Sequence, residues 1–179
     1  MKKIALVLTA LLVLTGCSAG NKSSEATPSA SATTNPYGGG FVVDPPADSD
    51  VVLSIKGAST KDFTMGEITA LADEEITINE PFVKMEQSFK VVKMEKLLAG
   101  LGFKPTDTLS TVALNDYAFP DTVANFTKNN AYIAVSRNGA AIPMDQGGPI
   151  RIIFASDSGY FTNLDAWNWS IRTIEIAKP

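Results

Sequence analysis

Asn138-Gly139-Ala140-Ala141-Ile142-Pro143, followed two residues later by Gln146-Gly147-Gly148-Pro149-Ile150-Arg151-Ile152, is the stretch on which the fold turns. Asn138-Gly139 is a hairpin-turn signal and closes a strand expected over residues 132–136. Gly147-Gly148-Pro149 sets a tight turn ahead of a second strand, expected over residues 150–154. Such a turn can offer backbone N–H groups to an anion, with Arg151 adding a charge-assisted contact. Turn geometry alone is the commoner reason for such glycines.

Moving outward from this stretch, residues 171–176 read as the last strand. Before it, strand alternation over Trp167-Asn168-Trp169-Ser170 puts both indoles on one face. There they can stack on a ligand or, more commonly, close the core. Toward the N-terminus, residues 120–128 predict a short helix with Pro120 in its first turn. Residues 111–114 predict a strand leading to Asn115-Asp116-Tyr117. That tripeptide either sets a carboxylate and a phenol in a cleft or makes a surface turn. Met94, Leu97, Leu98 and Leu101 fall at helical spacing, with Gly100 and Gly102 suited to the helix end. Residues 76–78 and 89–92 read as strands. Thr64-Met65-Gly66-Glu67 reads as a capping box, and residues 51–55 as the opening strand. Many short strands with two or three helices predict a mixed α+β domain over residues 51–179.

The N-terminus carries a different signal. Met1-Lys2-Lys3 and an apolar run over residues 4–14 form a signal peptide, too short to span a bilayer. It ends in Leu14-Thr15-Gly16-Cys17, which is similar to the bacterial lipobox. Residues 1–16 are then the signal and Cys17 the acylated residue. Residues 17–50, rich in Ser, Ala, Thr, Pro and Gly, form a tether reaching about 30 Å as a random coil. The expected location is the extracytoplasmic face of the bacterial cell membrane, with the membrane as first partner and an envelope protein as a second.

Composition excludes several chemistries. The 179 residues include no His and one Cys. That removes a His general base, a Ser-His-Asp triad, His metal ligands and any internal disulfide. The net charge of −4 argues against a nucleic-acid partner. Asp145, Asp157 and Asp165 are loop acids without EF-hand spacing, so no metal is assigned.

Taken in order, these segments resemble the molybdopterin-binding domain of sulfite oxidase-type oxidoreductases. The likeness runs from Leu53-Ser54-Ile55-Lys56-Gly57 through the helix at Lys96 to Gly102 and through Asn115-Asp116-Tyr117. It continues in Asn138 to Arg151 and closes with Trp167, Ile171 and Ile174-Glu175-Ile176. The resemblance implies a sulfite-oxidase-like α+β fold and a cleft near Asp116, Tyr117, Asn138, Gly147, Gly148, Arg151, Trp167 and Trp169. Family enzymes hold molybdenum on a cysteine thiolate, whereas the corresponding stretch here, residues 76–88, has none. Gln146 stands where many members carry His. The favoured expectation is a binding or accessory module with no cofactor and no catalytic residue. The alternative is a molybdopterin-binding oxidoreductase, or a subunit of one, with unusual metal ligation. A solute-capturing lipoprotein is a third, for which one domain is small.

Overall fold

The computed structural model describes residues 43–177. They form two sheets and three short helices. In chain order the elements are β1 (Val51–Lys56), β2 (Thr60–Thr64), α1 (Met65–Leu71), β3 (Glu74–Glu80), β4 (Met85–Lys93), α2 (Met94–Leu98), β5 (Thr108–Ala113), β6 (Ala118–Thr122), α3 (Val123–Lys128), β7 (Tyr132–Arg137), β8 (Arg151–Ile153) and β9 (Ile171–Ile176). One sheet has the order β2-β1-β9-β5-β6 and the other β3-β4-β7-β8. All pairings are antiparallel except β1 with β9. The mixed α+β class is as expected.

The apolar pattern explains the packing. Leu53 and Ile55 alternate inward from β1, and Leu109, Thr111 and Ala113 do so from β5. Tyr132 to Val135 of the central strand β7 are buried on both faces, and so are the three residues of β8, although β8 stands at the sheet edge. One core joins Leu53, Ile55, Leu109 and Ile174 of the first sheet to Phe89, Val91, Ile133 and Ile152 of the second. Each such side chain contributes about 1.5–3 kcal/mol of burial free energy.

The capping box forms as read. Glu67 N donates to Thr64 Oγ1 at 3.2 Å, and Thr64 N donates to Glu67 Oε2 at 2.9 Å. Strand β9 covers residues 171–176 as expected. Three expectations are corrected. The amphipathic helix stops at Leu98, because Gly100 takes a left-handed conformation; Leu101 still reaches the core from the loop. Pro120 lies in β6, paired with Ser110, not in a helix. β6 is an edge strand, where a residue without an N–H is tolerated. The helix starts at Val123, after Thr122 accepts the Asn125 N–H at 3.1 Å. Finally, Trp167 to Ser170 are not strand, so alternation does not place the indoles. The expected signal, Cys17 and most of the tether lie outside the described residues.

Candidate functional site

Glu80 is the last residue of β3 and Arg151 the first of β8, at the two edges of the four-stranded sheet. Arg151 Nη2 lies 2.9 Å from Glu80 Oε1, and both side chains are 0% exposed. The other carboxylate oxygen, Glu80 Oε2, accepts the N–H groups of Phe82 and Val83, each at 3.0 Å. Two charges are thus held away from water by mutual contact and backbone donors, the arrangement that offsets their desolvation. The Arg151 guanidinium carbon sits 4.3 Å from the Trp169 ring centroid and 5.8 Å from that of Phe82.

Above this pair is an aromatic cleft of about 250 Å³. Phe82 meets Trp169 edge-on at 4.9 Å and Trp167 at 6.0 Å. Trp167 is buried, and its Nε1 donates to the Tyr160 carbonyl at 3.1 Å. The rim is exposed: Phe82, Tyr117 and Leu164 are all open to solvent. The Tyr117 hydroxyl donates to the Asp165 carbonyl at 3.0 Å, tying the β5–β6 turn to the 164–166 turn. Burial, then the charge of Asp165, raises the Tyr117 pKa above the ordinary phenol value. The lining contains one carboxylate, Asp165, and neither Lys nor Arg.

The glycines serve geometry. Gly147 adopts φ 88°, and a Cβ there would lie 2.9 Å from the Trp169 indole carbons. At Gly148 a Cβ would stand 1.8 Å from the Ile142 carbonyl oxygen. Gly147 N donates to Met144 O and Gly148 N to Pro143 O. Of the two readings of this turn, geometry fits and the anion cradle does not: both residues are buried and both N–H groups are taken by the chain itself. Arg151, which the anion reading would have added to that cradle, faces Glu80.

The remaining expected residues divide. Tyr117, Trp167 and Trp169 line the cleft. Asp116 lies just outside its lining, in a left-handed conformation and paired with Arg172. Asn138 stands apart from it. Its Oδ1 accepts the Ser88 N–H at 2.9 Å and its Nδ2 donates to Gln87 Oε1 at 3.0 Å, which fixes the β7 end against β4. Gln146 accepts a hydrogen bond from Arg137. Sequence reasoning missed Glu80, Phe82 and Asn168. Glu80 carried a signal: it lies two residues past Ile78, on the inward face of β3. Asn168 is 1% exposed, and its Nδ2 donates to the Thr111 carbonyl at 2.7 Å.

A larger apolar hollow of about 570 Å³ lies between the α2–β5 connection and α3, lined by Leu98, Phe103, Pro105 and Val123. It contains none of the expected site residues. Among the described residues no group of three or more His, Cys, Asp or Glu could hold a metal.

Residues 1–18 match the prokaryotic membrane lipoprotein lipid attachment site. No curated protein matches the chain. The protein is thus exported and lipid-anchored at a membrane of the cell envelope. Among the described residues no helix is long and apolar enough to cross a membrane.

Proposed function

We propose that this envelope lipoprotein presents a sulfite-oxidase-like domain that binds rather than catalyses. The observation that carries it is the Glu80–Arg151 pair. The resemblance places a metal-binding thiolate within residues 76–88, and the buried reactive-type side chain in that stretch is the Glu80 carboxylate. Its charge is matched by Arg151 and two backbone N–H groups.

Molybdopterin does not fit these residues. Its phosphate needs cationic or N–H donors. The cleft lining offers a carboxylate and no Lys or Arg, and the Gly147 and Gly148 N–H groups are engaged. The cysteine thiolate by which the family enzymes hold molybdenum has no counterpart, because the domain contains no Cys. What remains is a concave, aromatic, partly polar surface, the usual form of a ligand or partner site. The lipid anchor keeps that surface near a membrane.

The test is oxygen-atom transfer. Protein purified from a host that makes and exports molybdenum cofactor is assayed with artificial electron acceptors. No turnover above a heat-killed control is expected; molybdenum-dependent turnover would overturn the proposal.

A further inference from the structure

We propose, on the binding-module reading above, that the same cleft takes a small organic ammonium ion: a protonated amine on a flat or apolar body. Three independent features of the cleft point to a cation.

The first is the ring set. Phe82, Tyr117, Trp167 and Trp169 converge on one hollow. The negative face of an aromatic quadrupole attracts a positive charge, and indoles do so most strongly. Arg151, outside the lining, already takes one face of Trp169, so that indole's other face, Tyr117 and Trp167 are what a ligand cation would meet.

The second is charge. The lining contains Asp165 and no Lys or Arg. Arg151, which packs on the Trp169 ring, faces Glu80, and Arg172 faces Asp116, so each of these guanidinium groups is paired with a carboxylate. A cation entering the cleft meets an uncompensated negative rim; an anion meets repulsion.

The third is Asn168, which lines the cleft. Its Nδ2 donates to the Thr111 carbonyl at 2.7 Å and to Thr111 Oγ1 at 3.3 Å. The carbonyl fixes the amide orientation, because an oxygen there would face an oxygen. Asn168 Oδ1 is then a buried acceptor with no donor among the described residues. Buried acceptors without donors are destabilising, so a site is left for a donor. An ammonium ion brings N–H groups, directly or through one water. A neutral hydrocarbon brings none, and a carboxylate or phosphate brings the wrong sign. A volume of about 250 Å³ suits a ligand of fragment size.

Both tryptophans of the chain line the cleft, so intrinsic fluorescence reports its occupancy. The mature lipidated protein is held in a maltoside detergent, which has no cationic headgroup. It is titrated with benzylammonium, with benzyl alcohol as the neutral isostere, and with inorganic pyrophosphate. The expected result is a saturable one-site change with benzylammonium, and at least about fivefold weaker binding of the alcohol. Asp165→Asn is expected to weaken benzylammonium about threefold while leaving the alcohol unchanged, since an exposed carboxylate contributes modestly. This substitution keeps the backbone carbonyl that Tyr117 bonds, so the rim stays tied. Equal binding of alcohol and ammonium, tighter binding of pyrophosphate, or no saturation with benzylammonium would each overturn the proposal. Molybdenum is measured on the same preparation. A molybdenum-free protein that ignores benzylammonium refutes only the ligand class; a molybdenum-loaded one refutes the binding-module function itself.

Discussion

Glu80→Gln is the most informative single change in the domain. Gln keeps the shape of Glu but only one oxygen. If that oxygen stays on the Phe82 and Val83 N–H groups, the new NH₂ faces Arg151 Nη2, donor against donor, at the present 2.9 Å separation. If the amide turns over, two backbone N–H groups lose their acceptor. In either orientation a guanidinium with no solvent exposure loses its counter-charge. Removing one partner of a buried pair costs about 3–5 kcal/mol. For a domain of this size that is a fall of about 10–15 °C in Tm. Urea unfolding followed by tryptophan fluorescence measures it, because Trp169 stacks on the Arg151 guanidinium. The paired replacement Glu80→Met with Arg151→Leu removes both charges and is expected to fall within about 2 kcal/mol of the native protein. The reasoning is refuted if Glu80→Gln costs less than about 1 kcal/mol, or if the double variant is worse than the single one.

Other outcomes follow from neighbouring features. Gly148→Ala sets a Cβ against the Ile142 carbonyl oxygen and is expected to cost more than about 3 kcal/mol, whereas Gly139→Ala, with open space around it but φ 75°, costs about 1 kcal/mol in the same urea assay. Tyr160, whose hydroxyl donates to Asp121, has its pKa pushed up to about 12 by burial and then by Asp121. Its folded value lies above the free phenol value, so its stabilisation is complete below about pH 10 and is lost as pH rises toward 12. Tyr160→Phe should therefore lose less stability than the native protein over that window. Cys17→Ala should move the protein from the membrane pellet to the soluble fraction, as an unacylated chain has no lipid hold.

What the sequence revealed and concealed divides by range. The Thr64–Glu67 box, the β9 strand and the turn after β7 are local signals, each complete within a few residues, and each forms as read. Pro120 misled because its helix-start preference is also local, while its place on an edge strand is decided by pairing with β5. Alternation gave no guide to the indoles, because Trp167 and Trp169 sit in irregular chain held by Tyr160 O and Gly147. The Glu80–Arg151 contact spans 71 residues and joins opposite edges of one sheet. No window of sequence displays it. Arg151 alone looked like a hand extended to an anion, and only the fold supplies the carboxylate that takes it. Asn138 deceived in the opposite direction: its turn was legible, but its side chain bonds β4 rather than the cleft.

The central claim is that the cleft binds without molybdenum chemistry. The most direct measurement is the molybdenum and pterin content of the mature lipoprotein, purified from a host that makes and exports the cofactor. Elemental mass spectrometry gives the metal, and fluorescence after oxidation gives the pterin. The account predicts neither above background in a folded protein. About one molybdenum and one pterin per chain would contradict it, and would require a metal ligand other than the family's cysteine, which this domain does not contain.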